Sequence, residues 1–226
     1  GGVGLGGRPE EVDALLLGIA TQASHRVADL SPQSISNVSW ALATCELLAP
    51  RPANTPARTF LCDAMAVAAG RLEEYAPQAV ANLMWAIVRL AARGPGAAGA
   101  RVQSAVAAFA LVVAHHATLH LMEFSWRDLA GVAVALAHVR AQSVEAMTFM
   151  TLLVGHTAAH CPDLTPQLLL NIAQSAARLG VAPESMQPMV DTIAQCIAAQ
   201  HLQLNDVDQR QWQEVVKWCP PQQLWA

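Results

Sequence analysis

The sequence predicts an all-α fold, an αα-repeat solenoid in which A and B helices alternate in a superhelix of about ten helices. Three observations carry this. The stretches SPQSISNVSWALATCEL (31–47) and APQAVANLMWAIVRL (76–90) repeat Pro-Gln, then Asn, then Trp-Ala in the same order. Apolar residues recur at helical spacing in five frames set 45, 49, 40 and 40 residues apart, within the range of helical solenoids. Hydrophobic residues make up 54% of the chain, aromatic ones 5% and charged ones 13%, a mix suited to helices packed through Ala, Leu and Val and unsuited to disorder.

With Pro32, Pro77, Trp126, Pro166 and, more loosely, Asp206 set at zero, an A helix begins at each. Ser31, Ala76, Ser125, Thr165 and Asn205 precede them. All but Ala76 are good N-caps, and Pro at the first helical position gives up an N–H that has no intrahelical partner anyway. Position three is Ile35, Val80, Leu129 and Leu169, position six Val38, Leu83, Val132 and Ile172, and position ten Leu42, Ile87, Leu136 and Ala176. With Cys45, Leu90, Val139 and Leu179 at thirteen, these form one helical stripe. Position nine is small each time (Ala41, Ala86, Ala135, Ser175), as a close helix crossing requires. In the preceding B helices, Leu15, Phe60, Phe109, Phe149 and Met189 share one register, and Ile19, Ala64, Val113, Leu153 and Ile193 another.

The organisation that follows is a Gly-rich start (1–8), a lone B helix (9–29), four repeats (30–74, 75–123, 124–163, 164–203) and a partial fifth with a tail (204–226). Pro/Gly-rich insertions are expected to bulge at 48–58 and 92–101. The start GGVGLGG without an initiator Met suggests a processed or partial chain. An array cut within a repeat at both ends suggests a longer parent or a partner covering each end.

Several function classes are disfavoured. Polar residues interrupt the apolar stretches, so no membrane partner is expected. A net charge of −4 argues against indiscriminate polyanion binding. The five cysteines form no CxxC and read as reduced, mostly buried thiols. The pairs His116/His120 and His156/His160 have i, i+4 spacing, but no third ligand stands out nearby in sequence, so neither a metal nor another cofactor is expected. No GxSxG, phosphate-binding Gly loop or recurring carboxylate pair points to an enzyme.

Helix A reads Ser-Pro-Gln-x-x-x-x-Asn-x-x-Trp-Ala-Leu-Ala in the first repeat and nearly so in the second, and TPQLLLNIAQSAARLG (165–180) keeps the beginning and the Leu-Gly end. This resembles the octotricopeptide-repeat family and the related helical repeats of FAST-kinase-like and RAP-domain proteins. The resemblance covers roughly 9–219 and is strongest in the first two repeats. It departs where Val134 and Gln174 replace the Trp and Gly131 replaces the Asn. It implies an organellar protein, mitochondrial in preference to chloroplast, that binds single-stranded RNA and not DNA.

Opposite the core stripe lie positions one, five, eight and twelve. Gln33, Gln78, Arg127 and Gln167 occupy position one; Asn37, Asn82 and Asn171 occupy position five. Gln174 stands at eight, and Arg89, His138 and Arg178 at twelve. Amides can pair with base edges, and Arg can stack on bases or grip phosphate. The recurring Asn can equally bridge adjacent repeats. Trp40 and Trp85, also at position eight, read as inter-repeat packing. A second row, Arg26, Arg71, His120 and His160, ends the B helices, where a cation either complements the helix dipole or contacts phosphate. The expected role is RNA binding within a stable ribonucleoprotein such as an organellar ribosome, with protein neighbours and rRNA as a candidate strand; a protein-binding scaffold is the alternative.

Overall fold

The structure, a computed structural model, describes residues 9–48, 55–91, 97–199 and 201–222. Among them lie ten α-helices: α1 (Pro9–His25), α2 (Pro32–Leu48), α3 (Thr55–Ala69), α4 (Pro77–Ala91), α5 (Ala97–Leu119), α6 (Trp126–His138), α7 (Val144–His160), α8 (Pro166–Leu179), α9 (Pro183–Ala198) and α10 (Asp206–Trp218). No strand occurs among the described residues. The fold is an all-α αα-repeat solenoid, with even-numbered A helices and odd-numbered B helices. It divides into two compact units, 1–109 and 110–226, the boundary falling within α5. The two expected insertions shrink, because α2 runs to Leu48, α3 starts at Thr55 and α5 at Ala97; the remaining 49–54 and 92–96 lie outside the described residues.

Each B helix passes to the next A helix by one recurring device. A residue with φ between −147 and −110° (Arg26, Arg71, His120, His160) leads into a 3-10 turn, Val27–Asp29, Leu72–Glu74, Leu121–Glu123 or Cys161–Asp163. An extended residue follows, Leu30, Tyr75, Phe124 or Leu164, of which the last three are buried. The A helix then starts at its cap: Ser125 Oγ accepts from Asp128 N, and Asn205 with Asp208 forms a reciprocal capping box.

In the first unit α1 packs on α3 and α2 on α4. In the second, α6 packs on α8 and α8 on α10, while α7 packs on α9. Ile35, Leu83, Leu129 and Leu169 are buried, as the stripe predicts. The buried face is wider than that stripe, however. Positions four and seven are also buried, from Ser36 and Ser39 in α2 to Leu170 and Ala173 in α8. A helix flanked on two sides by other helices needs such a width. Ser39 satisfies its hydroxyl by donating to the Ile35 carbonyl at 2.7 Å.

Two expectations are corrected. Leu15 and Ile19 are 63% and 43% exposed, although their register partners Phe60 and Phe149 are fully buried. Among the described residues no B helix lies before α1 to cover them, and Ala41 of α2, the first A helix, is exposed for the same reason. Secondly, α5 is long and apolar enough to cross a membrane, with a mean hydropathy of 1.5 over Val102–Leu119. Polar interruptions therefore do not exclude it by composition; Val106, Phe109, Val113 and Ala117 are buried in the protein, while Leu111, Val112 and Leu119 of the same helix are exposed. At the other end of the described residues, 219–222 bond to α9. Gln187 donates to the Pro220 carbonyl at 3.0 Å, and the Gln222 amide to Asp191 at 2.8 Å, laying 219–222 along α9. The α10 helix beside them is polar and buries only Asp208 and Val215. None of the five cysteines is in a disulfide; Cys161, Cys196 and Cys219 are buried, and Cys45 and Cys62 half-buried.

Truncating Phe149 to Ala is expected to lower the unfolding free energy by about 3–5 kcal/mol, measured by urea denaturation. Leu15→Ala, on an uncovered face, should change it by less than about 0.5 kcal/mol. Equal losses from the two would contradict the register assigned to α1.

Candidate nucleic-acid interface

The A face of the first unit is built from α2 and α4. One helical turn separates positions one, five, eight and twelve, so Gln33, Asn37, Trp40 and Thr44 line one edge of α2, and Gln78, Asn82, Trp85 and Arg89 the same edge of α4. Gln33, Asn37, Trp40, Gln78 and Arg89 are exposed, while Asn82 and Trp85 are half-buried. Gln33 Nε2 donates to Asn37 Oδ1 at 2.9 Å. Because α2 packs on α4 in register, the two indoles meet, with ring centroids 6.3 Å apart and planes inclined at 31°. The Arg89 guanidinium carbon lies 5.5 Å from the Trp85 centroid, in cation–π range. The tryptophans thus join adjacent repeats, as their spacing suggests, yet Trp40 remains 48% exposed. No acidic residue occurs in α4.

The second unit treats the same positions differently. On α6, Arg127 and His138 are exposed, and Val134 stands where the first unit has Trp. On α8, Gln167 Nε2 donates to Asn171 Oδ1 at 3.1 Å, reproducing the Gln33–Asn37 bond. Asn171 Oδ1 also accepts from Gln211 Nε2 of α10 at 3.0 Å, and the same nitrogen reaches Gln174 Oε1 at 3.1 Å. Gln174 Nε2 and Arg178 Nη2 both donate to Glu214 Oε2, at 2.7 and 2.9 Å. Burial alone raises the pKa of Glu214, but these two bonds and the charges of Arg178 and Lys217 outweigh it and hold the carboxyl below its ordinary range. Here the amides bridge repeats, and Arg178 is neutralised by an ion pair. A strand at Asn171, Gln174 or Arg178 would have to share these groups with the α10 side chains or displace their bonds.

The second row turns out to be built into the junctions. Arg71 Nη2 donates to the Leu30 carbonyl of the preceding junction. Burial raises the Tyr75 pKa, and the nearby Arg71 charge only partly offsets this. His120 Nδ1 lies 2.9 Å from Glu123 Oε1, and its ring is 4.5 Å from that of the buried His116. His160 Nδ1 donates to the His156 carbonyl at 2.9 Å, closing the end of α7. The His156 ring stacks on Trp126 at 4.6 Å with planes at 16°, and His160 lies 4.6 Å from His156. Arg26 is exposed. Three members of the row therefore have structural partners, which makes a continuous phosphate-binding edge the poorer reading.

Comparison of the chain with models of protein families, with curated proteins and with solved structures gives no match. Gln211 and Glu214, which close the α8–α10 network, escaped the sequence reading of candidate residues. Continuing the frame to Asp206 puts them at positions five and eight, so the signal was present in the weakest of the five frames.

A pH dependence follows from the His156 stack. Burial first, and then the neighbouring His160, hold the His156 pKa below its ordinary value. Over that interval the unfolded chain binds more protons, so stability is complete above about pH 6.5 and is lost as pH falls toward the folded pKa. Urea melts at about pH 7 and about pH 5 should show a smaller acid loss in His156→Gln than in the parent chain. Identical losses would contradict this role.

Proposed function

We propose that this chain binds single-stranded RNA through the A face of its first unit, as part of a ribonucleoprotein. The observation that carries the reading is the pairing of exposed amides (Gln33, Asn37, Gln78) with the exposed cation Arg89 on α2 and α4, where α4 bears no acid. Amides offer a donor and an acceptor to base edges, and Arg89 attracts phosphate or stacks on a base. The second unit fits less well, since Asn171, Gln174 and Arg178 are already engaged with α10. The resemblance to octotricopeptide repeats supports an RNA ligand and an organelle, the mitochondrion before the chloroplast.

A net charge of −4 means that few counterions are released on binding, so affinity for RNA alone should be modest. Neighbouring proteins in a stable particle, such as an organellar ribosome, would supply the remainder. A protein-binding scaffold is the second reading. It is favoured by the exposed Leu15, Leu17 and Ile19 on α1.

Alanine replacement separates these. Arg89→Ala should reduce ultraviolet crosslinking of the protein to RNA in the native particle several-fold, whereas Arg178→Ala should leave it close to the parent. Unchanged crosslinking in a folded Arg89→Ala protein, as judged by thermal melting, would count against the first-unit face. A parent chain in the particle without any RNA crosslink would favour the scaffold.

A further inference from the structure

We infer that Trp40 is a stacking platform for one nucleobase of the bound strand, with Trp85 and Arg89 bracing it from behind; this rests on the RNA reading above and specifies its contact. An indole is a large apolar ring that folded proteins usually cover. Trp40 is nevertheless 48% exposed, on a face otherwise made of Gln, Asn and Thr. Its neighbour does not cover it, because the centroids are 6.3 Å apart and the planes tilt by 31°. Trp85 is in turn held by the Arg89 guanidinium at 5.5 Å. The result is a column of ring, ring and cation spanning two repeats, with its Trp40 end open to solvent.

The surroundings favour a base over another flat apolar group. Asn37 lies one helical turn before Trp40 on the same edge, and Gln33 one turn before that. Their mutual bond uses one N–H of Gln33 and the oxygen of Asn37. An amide oxygen on Gln33 and amide hydrogens on Asn37 remain to meet the edge of a base lying on the ring. Stacking on an aromatic ring is indifferent to base identity, whereas these edge contacts supply a preference. The same position holds Val134, Gln174 and Glu214 in the second unit, so the platform is confined to the first.

The test uses the full chain at low ionic strength with three fluorescein-labelled strands of about eight nucleotides: oligoadenylate, oligouridylate and an abasic ribose-phosphate polymer. Fluorescence anisotropy should rank them in that order, because the larger purine overlaps the indole most. Trp40→Ala should weaken oligoadenylate binding roughly tenfold with little effect on the abasic strand, while Trp40→Phe should retain most of the affinity. Thermal melting of each variant checks the fold. Equal binding of parent and Trp40→Ala to oligoadenylate would overturn the platform and leave the RNA reading standing. Abasic binding as tight as oligoadenylate binding would do the same. Failure of all three strands to bind, together with absence of crosslinks in the particle, would overturn both. Retained binding by Trp40→Ala but not by Trp40→Phe would also reject stacking as the cause.

Discussion

The rest of the structure depends on the side-by-side packing of A helices, α2 on α4 in the first unit and α6 on α8 on α10 in the second. A single αα repeat cannot bury its own apolar face, so each A helix must lie beside the next in register. That register sets position eight of one helix against position eight of its neighbour. Whatever occupies this position becomes both the bridge between repeats and the middle of the exposed A face. Structure and recognition therefore compete for the same side chains.

The two units resolve the competition differently. In the first, Trp40 and Trp85 bridge through their rings, a contact that consumes no hydrogen-bonding group, so Gln33, Asn37 and Gln78 face solvent. In the second, Gln174 and Glu214 bridge through a hydrogen bond that also captures Arg178, and Asn171 and Gln211 are drawn into the same network. An exposed ion pair such as Arg178–Glu214 contributes little to stability by itself, typically about 0.2–1 kcal/mol. Its larger consequence is to place a carboxylate where the first unit presents an indole. On the proposed reading, a polyanionic strand would find open amides and Arg89 on the first unit and side chains already engaged on the second.

Much of the fold was legible in the sequence because a solenoid writes its core register repeatedly. Ile35, Val80, Leu129 and Leu169, or Phe60 and Phe149, occupy equivalent buried places, and agreement among frames identifies them without any contact being known. Periodicity is silent on which neighbours cover a helix. Leu15 and Ile19 carry the same pattern as their register partners yet lie exposed, and Ser36 and Ser39, polar by composition, are fully buried between helices. The candidate site was legible as a face but not as a set of partners. Gln33 and Gln167 are indistinguishable in sequence, and both bond the Asn one turn on; only Asn171 then receives a second bond, from Gln211 some forty residues away. For the second row, a cation at each B-helix end was visible, but its partners, such as the Leu30 carbonyl for Arg71, emerge only from tertiary packing.

The most direct measurement of the central claim is the mass of protein peptides crosslinked to RNA in the native particle, which reports on the protein side where the strand lies. If the first-unit A face holds the strand, crosslinked nucleotides will be found on peptides containing α2 and α4, with modified residues among Gln33–Thr44 and Gln78–Arg89. Crosslinks concentrated on α8 and α10, or on the B helices, with none on α2 or α4, would contradict it.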